Sequence, residues 1–192
     1  MMVFVGDRLA TVPSREIDPK TEDQEATRIG GLRNHMMKAY AYRALFEPGD
    51  RRGTIVVTFP DVPEAVTQGR DEADARAMAE EALALVLLAY LQRGKPLPKP
   101  RARGRGLVDI TVAPEVAAKL AVLESFTAAG ITKSELARRI GKDEKEVRRI
   151  LDAKHPTKLP ALTAALRALG KRLVVGVVEA EARDQSLFSI AE

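Results

Sequence analysis

ITKSELARRIGKDEKEVRRILDAK, residues Ile131 to Lys154, is the stretch on which the reading of the fold turns. Thr132 and Glu135 have the spacing of a capping box, in which a hydroxyl satisfies a free backbone N–H at the start of a helix. Behind them Leu136, Ala137 and Ile140 fall on one face. Asp143 and Glu146 repeat the spacing and open another helix, with Val147, Ile150 and Leu151 facing inward. Gly141-Lys142 joins the two. Two short capped helices around a tight turn are the layout of a helix-turn-helix. Ala137 is small enough for the second helix to cross close to it, and Gly141 suits a left-handed backbone that other residues adopt at a cost.

On the outer side of the second helix, Glu144, Lys145, Arg148 and Arg149 are free to enter the major groove of DNA. An arginine grips guanine through two hydrogen bonds and so specifies sequence, and Glu144 would accept from cytosine or reject a wrong base. Lys133, Lys142 and Lys154 are better placed for phosphates, which fix register without reading sequence.

Upstream, Pro114 suits the first turn of a helix from Glu115 to Ala129 that Gly130 closes. Val108, Ile110 and Val112 alternate as a short strand. Lys95 to Gly106 carries Pro96, Pro98 and Pro100, then Arg101, Arg103, Gly104, Arg105 and Gly106, and reads as a linker. Before it, Asp71 caps a helix that reaches Arg93 and stops at Gly94, with Asp71, Glu72 and Asp74 at the positive end of its dipole. Its segment ALALVLLAYL is apolar all round and needs cover from a sheet on one side and from something else on the other, for instance a second copy. Tyr40, Tyr42, Ala44 and Phe46 alternate as one strand, and Ile55, Val57 and Phe59 as another, in a hairpin around Glu47-Pro48-Gly49-Asp50. Ala65 to Gln68 reads as a short third strand. Beyond Lys154 comes one more helical segment, then a last strand from Leu173 to Val178, expected to pair with Val108 to Val112 within one chain or across a dimer.

The expected class is therefore α+β. A flexible extension covers 1–36, a sheet-and-helix domain 37–94, the linker 95–106, an all-α helix-turn-helix domain with short flanking strands 107–178, and an acidic tail 179–192. Met36-Met37 directly precedes the first patterned segment, so a start there is an alternative reading of the extension.

Charge divides the chain in the same place. From Lys38 to Pro98 acidic and basic residues nearly balance, whereas from Lys99 to Arg172 Lys and Arg outnumber Asp and Glu by 17 to 8. A polyanion partner is expected for the second half alone. With no cysteine, disulfides and thiol chemistry are excluded, and His35 and His155 lie too far apart in sequence to suggest a metal or nucleophilic site. Neither a phosphate loop nor a nucleophile motif is visible, so no enzyme activity, metal or cofactor is expected. The longest apolar run falls well short of the roughly 20 residues that span a bilayer, and no secretory signal is visible, which points to the cytoplasm.

Ile131 to Lys154 resembles the Cro and repressor type of helix-turn-helix. The longer pattern of YAYRALFEP, TIVVTFPDVPEAVTQG, DEADARAMAEEALALVLLAYLQRGKPLP and ITKSELARRIGKDEKEVRRILDAKHPTKLPALTAALRALGKRLVV resembles the HicB family of type II antitoxins, in its members that end in a helix-turn-helix. That resemblance implies a partial ribonuclease H-like first domain that binds a HicA-like toxin, a small ribonuclease that cleaves messenger RNA. It also implies a second domain that binds operator DNA and represses the toxin and antitoxin genes, in a homodimer or homotetramer associated with the nucleoid. Asp61 and Glu64, with Glu47 and Asp50 in the hairpin turn, are the candidates for meeting a basic surface on the toxin. As a pair, Asp61 and Glu64 suit turn chemistry better than the converging carboxylates of a two-metal nuclease. The competing reading is a stand-alone helix-turn-helix regulator whose first domain senses a small ligand.

Overall fold

The computed structural model describes residues 2–4, as backbone, and 38–176. The chain runs β1 (Met2–Phe4), β2 (Ala41–Pro48), β3 (Ile55–Thr58), β4 (Val66–Gly69), α1 (Glu72–Gln92), β5 (Leu107–Thr111), α2 (Pro114–Ala129), α3 (Lys133–Ile140), α4 (Glu144–Leu151), α5 (Leu159–Ala168) and β6 (Val174–Gly176). Apart from Met2–Phe4, the expected extension over 1–36 lies outside the described residues, as does the tail over 179–192.

The period-two pattern makes an antiparallel sheet in the order β4-β3-β2-β5. In the β2–β3 hairpin Leu45 stands opposite Thr58 and Pro48 opposite Ile55. Pro48 is tolerated inside this strand because β5 reaches along β2 only as far as Leu45, so no neighbour on that side asks for its missing N–H. Tyr42, Ala44, Val57, Phe59 and Ile110 are buried in one core with Ala75, Ala79, Leu83 and Leu87 of α1, which recur every four residues and so form one stripe of the helix. Asp71 caps α1, its carboxylate accepting from the Asp74 backbone N–H at 2.8 Å. Gly69 is required where the helix begins, because a Cβ there would lie 2.2 Å from the Ala75 backbone nitrogen.

Within the chain, Val108 to Val112 does not pair with the last strand: β5 pairs antiparallel with β2, and β6 pairs with β1. The register explains the choice, since Tyr42 opposite Ile110 buries both side chains on the inner face, while Arg43 opposite Asp109 makes an ion pair at 3.3 Å. The segment before β5 is also fastened. Tyr42 Oη donates to the Pro98 carbonyl at 2.6 Å, and the Asp61 carboxylate accepts from the backbone N–H groups of Arg101 and Ala102 at 2.8 and 2.7 Å.

The apolar end of α1 finds further cover within the chain. Ala117 and Leu120 of α2 join the sheet core, although Leu85 stays 69% exposed. One step round the same helix, Ala118 and Val122 belong to a second core with Ile150, Leu162, Ala165 and Leu166. A third, small core holds Leu136, Ala137 and Val147. No helix of the described residues is long and apolar enough to cross a membrane.

Candidate nucleic-acid interface

The two short helices begin as their sequences require. Thr132 Oγ1 accepts from the Glu135 N–H at 3.1 Å, and Asp143 Oδ1 accepts from the Glu146 N–H at 2.7 Å. The glutamates of the two boxes take other partners: Glu135 binds Arg138 and Arg139 at 2.8 and 2.7 Å, and Glu146 binds Arg149 at 3.5 Å. Gly141 ends α3 with φ 64°, the left-handed conformation that lets the Lys142 N–H return to the Ala137 carbonyl at 3.0 Å. Leu136, Ala137 and Val147 are buried at the crossing of the two helices, and Ile150 anchors α4 to the second core.

This packing leaves the charged side chains outside. Lys133, Lys142, Lys145, Arg148, Arg149 and Lys154 are all exposed. Glu144 is tied down more than its neighbours, accepting from Ser134 Oγ at 2.6 Å and pairing with Arg148. The hydrogen bond from Ser134, followed by the Arg148 guanidinium, holds its carboxyl below the usual range. Glu144 thus braces α4 against α3, and Arg148 is held in an exposed pair. Exposed pairs of this kind are weak, so Arg148 is released at little cost. Arg138 and Arg139 together lower the Glu135 carboxyl to about 2.

Lys119 was not singled out by sequence reasoning. It sits on α2, is 5% exposed, and its ammonium donates to the carbonyls of Ile150 and Asp152 at 2.8 and 3.0 Å and to Thr157 Oγ1 at 2.7 Å. Burial pushes its pKa down, against the pull of Asp152. The signal in the sequence is faint: Lys119 is the sole charge between Glu115 and Glu124, at a place where a lysine ordinarily reaches solvent.

The four acidic candidates of the first half are spread over different elements. Glu47, which stands in β2 opposite Val56 and not in the turn expected for it, and Asp50, in the hairpin turn, are both exposed. Asp61 holds the linker backbone, and Glu64 accepts from Tyr90 Oη at 2.8 Å, a bond that lowers its own pKa and raises that of the tyrosine. Among the described residues no group of three or more His, Cys, Asp or Glu is placed to hold a metal ion. At the junction of the halves, Glu124 of α2 accepts from Lys38 Nζ and from Tyr40 Oη, each at 2.6 Å. Burial, then the Glu124 carboxylate, drives the Tyr40 hydroxyl far above its ordinary value, and Tyr42 is pushed up to about 12, mainly by burial.

Residues 41–121, from β2 into the first half of α2, match the model of a family described as the HicB_like antitoxin of bacterial toxin-antitoxin systems. The chain is 33% identical to Antitoxin HicB 1 of Photorhabdus laumondii subsp. laumondii over 150 residues, 78% of this chain and 95% of the relative. It is 38% identical to Antitoxin HicB of Escherichia coli K12 over 128 residues, 66% of this chain and 91% of that one. Against Antitoxin HicB 2 of the same Photorhabdus strain the identity is 36%, over 72% of this chain and 96% of the relative.

Proposed function

The chain belongs to the HicB-like antitoxin family, and we propose that it neutralises a HicA-like mRNA-cleaving toxin with its sheet half and represses its own operon with α3 and α4. In this reading α3 and α4 form a helix-turn-helix. The supporting observation is local: two short helices, capped and crossed over Leu136, Ala137 and Val147, present Lys142, Lys145, Arg148 and Arg149 outward. Cations on the exposed side of a helix suit the electrostatics of a DNA groove. From Lys38 to Pro98 acidic and basic residues nearly balance, which suits a protein partner for the sheet half.

Within α4, Arg148 and Arg149 read bases, and Glu144 limits which base is accepted. Lys145 enters the major groove beside them, and Lys133, Lys142 and Lys154 hold phosphates. Operator DNA is bound by a homodimer or homotetramer, in the cytoplasm and on the nucleoid. In the sheet half, a partial ribonuclease H-like domain expected over 37–94 and completed by β5, the acidic groups Glu47, Asp50, Asp61 and Glu64 face a basic toxin. No nuclease activity is expected of the domain, since Asp61 and Glu64 hold the linker backbone and Tyr90 and do not converge with a third carboxylate among the described residues. Magnesium-dependent RNA cleavage that disappears in Asp61→Ala would refute this last point.

The reading is tested by co-purifying the chain with the product of the adjacent gene and titrating it onto duplex DNA from upstream of its own gene. Capture of a small basic ribonuclease and a sequence-preferring shift are expected. The Arg148→Ala, Arg149→Ala pair should relax base preference, whereas Lys133→Ala should weaken all sequences and lower the salt slope by about one unit. Unaltered binding by the double variant would move recognition away from α4.

A further inference from the structure

A buried lysine is costly unless each of its protons meets an acceptor, and Lys119 meets that condition with three. The acceptors are not scattered. Ile150 lies in the last turn of α4, Asp152 is its C-terminal cap, and Thr157 stands in the segment leading to α5. Carbonyls at the end of a helix lack intrahelical donors and carry the negative end of the dipole, so an ammonium there is doubly favoured.

The need for such an anchor follows from α4 itself. It has eight residues, and its cap Asp152 leaves the helix in an extended conformation with φ −81° and ψ 116°. Gly141 sets how α4 begins. The end of α4 and the loop after it are tied by Lys119 to α2, which also packs in the sheet core through Ala117 and Leu120. Within the tied loop Lys154 is exposed, its backbone N–H donating to Asp152 Oδ1 at 2.9 Å.

We propose that Lys119 is the buried positioning residue of the DNA-binding half: it fixes the tilt of α4 and the place of Lys154, and so sets operator affinity without touching DNA. The proposal rests on the DNA-binding reading above. Lys119→Met keeps the length of the side chain and removes the donors. Measured on the full chain below its unfolding transition, it should lower affinity for the upstream duplex about tenfold or more and reduce the salt slope by about one unit, as the Lys154 contact is lost. Co-purification with the toxin should persist. Thr157→Val removes one acceptor of the three and should cost about two- to threefold.

Wild-type affinity and salt slope in Lys119→Met would overturn the proposal. So would an affinity loss matched by loss of toxin capture, which is general unfolding. If the wild-type chain binds no upstream DNA, the operator reading and the claim on affinity fall together. Amide exchange at Asp152 and His155 then still decides the anchoring itself, since Lys119→Met should speed exchange there and leave Leu83 and Leu87 slow.

Discussion

The sheet half and the helical half are held together by different means. In the first, a 21-residue helix lies along a four-stranded sheet, and Phe59, Leu83, Leu87 and Ile110 are sealed between them. In the second, α3 and α4 have eight residues each, too short to persist in water by themselves, and their mutual core holds one leucine, one alanine and one valine. Apolar area dominates the first half. In the second, α2 and α5 share an apolar core, but the α3–α4 pair depends more on single polar groups: Thr132, Asp143 and Lys119. A packed surface tolerates little change in volume, whereas a polar-pinned one tolerates little change in chemistry.

The contrast can be broken by substitutions of graded size. Leu83→Ala opens a void under α1 and is expected to cost about 3 kcal/mol in denaturant-induced unfolding. Gly69→Ala comes next, at about 2 kcal/mol, because the added Cβ would press on the Ala75 backbone, which cannot move away as a side chain would. Asp143→Ala removes the cap of α4 and should cost about 1 kcal/mol, while weakening DNA binding more than toxin binding. A cost for Asp143→Ala equal to that for Leu83→Ala would erase the distinction between the halves.

The smallest expected effect is in the pH response of α3. Glu135 has its carboxyl lowered from 4.5 to about 2 by Arg138 and Arg139, so the folded state holds its proton less tightly than the unfolded state. Its stabilising contribution is complete above pH 4.5 and is lost as the pH falls toward 2. Carboxyl NMR titration of Glu135 should show a midpoint near 2, and the acid loss should shrink in Glu135→Gln. A midpoint near 4.5 would mean that the pairs with Arg138 and Arg139 do not persist in solution.

What could be read from the sequence follows from the range of the interactions. Caps and turns act over a few residues, so Thr132, Gly141 and Asp143 were legible one by one, as were the hairpin and the start of α1 at Asp71. The partner of β5 was not. The alternation of Val108, Ile110 and Val112 states that one face is buried but not against which strand, and the choice rests on Tyr42 and Arg43 more than sixty residues away. Asp61 read as turn chemistry, yet its carboxylate serves Arg101 and Ala102, 40 and 41 residues downstream. Lys119 was hidden for a similar reason, since its acceptors come from backbone and a hydroxyl that carry no charge to be matched.

That α2 turns Ala117 and Leu120 to one core and Ala118 and Val122 to another bears on how the protein can be cut and rejoined. The proline-rich stretch looks like the seam, but a fragment ending at Gly94 would lack β5 and leave β2 without its neighbour on that side, while its complement would carry Ile110 without the sheet core that buries it. A hybrid that keeps this sheet half and borrows a different set of helices has its junction after Gly130, where α2 is complete and the backbone already turns. The incoming helices would also have to supply carbonyls for Lys119, or the hybrid would need an apolar residue in its place.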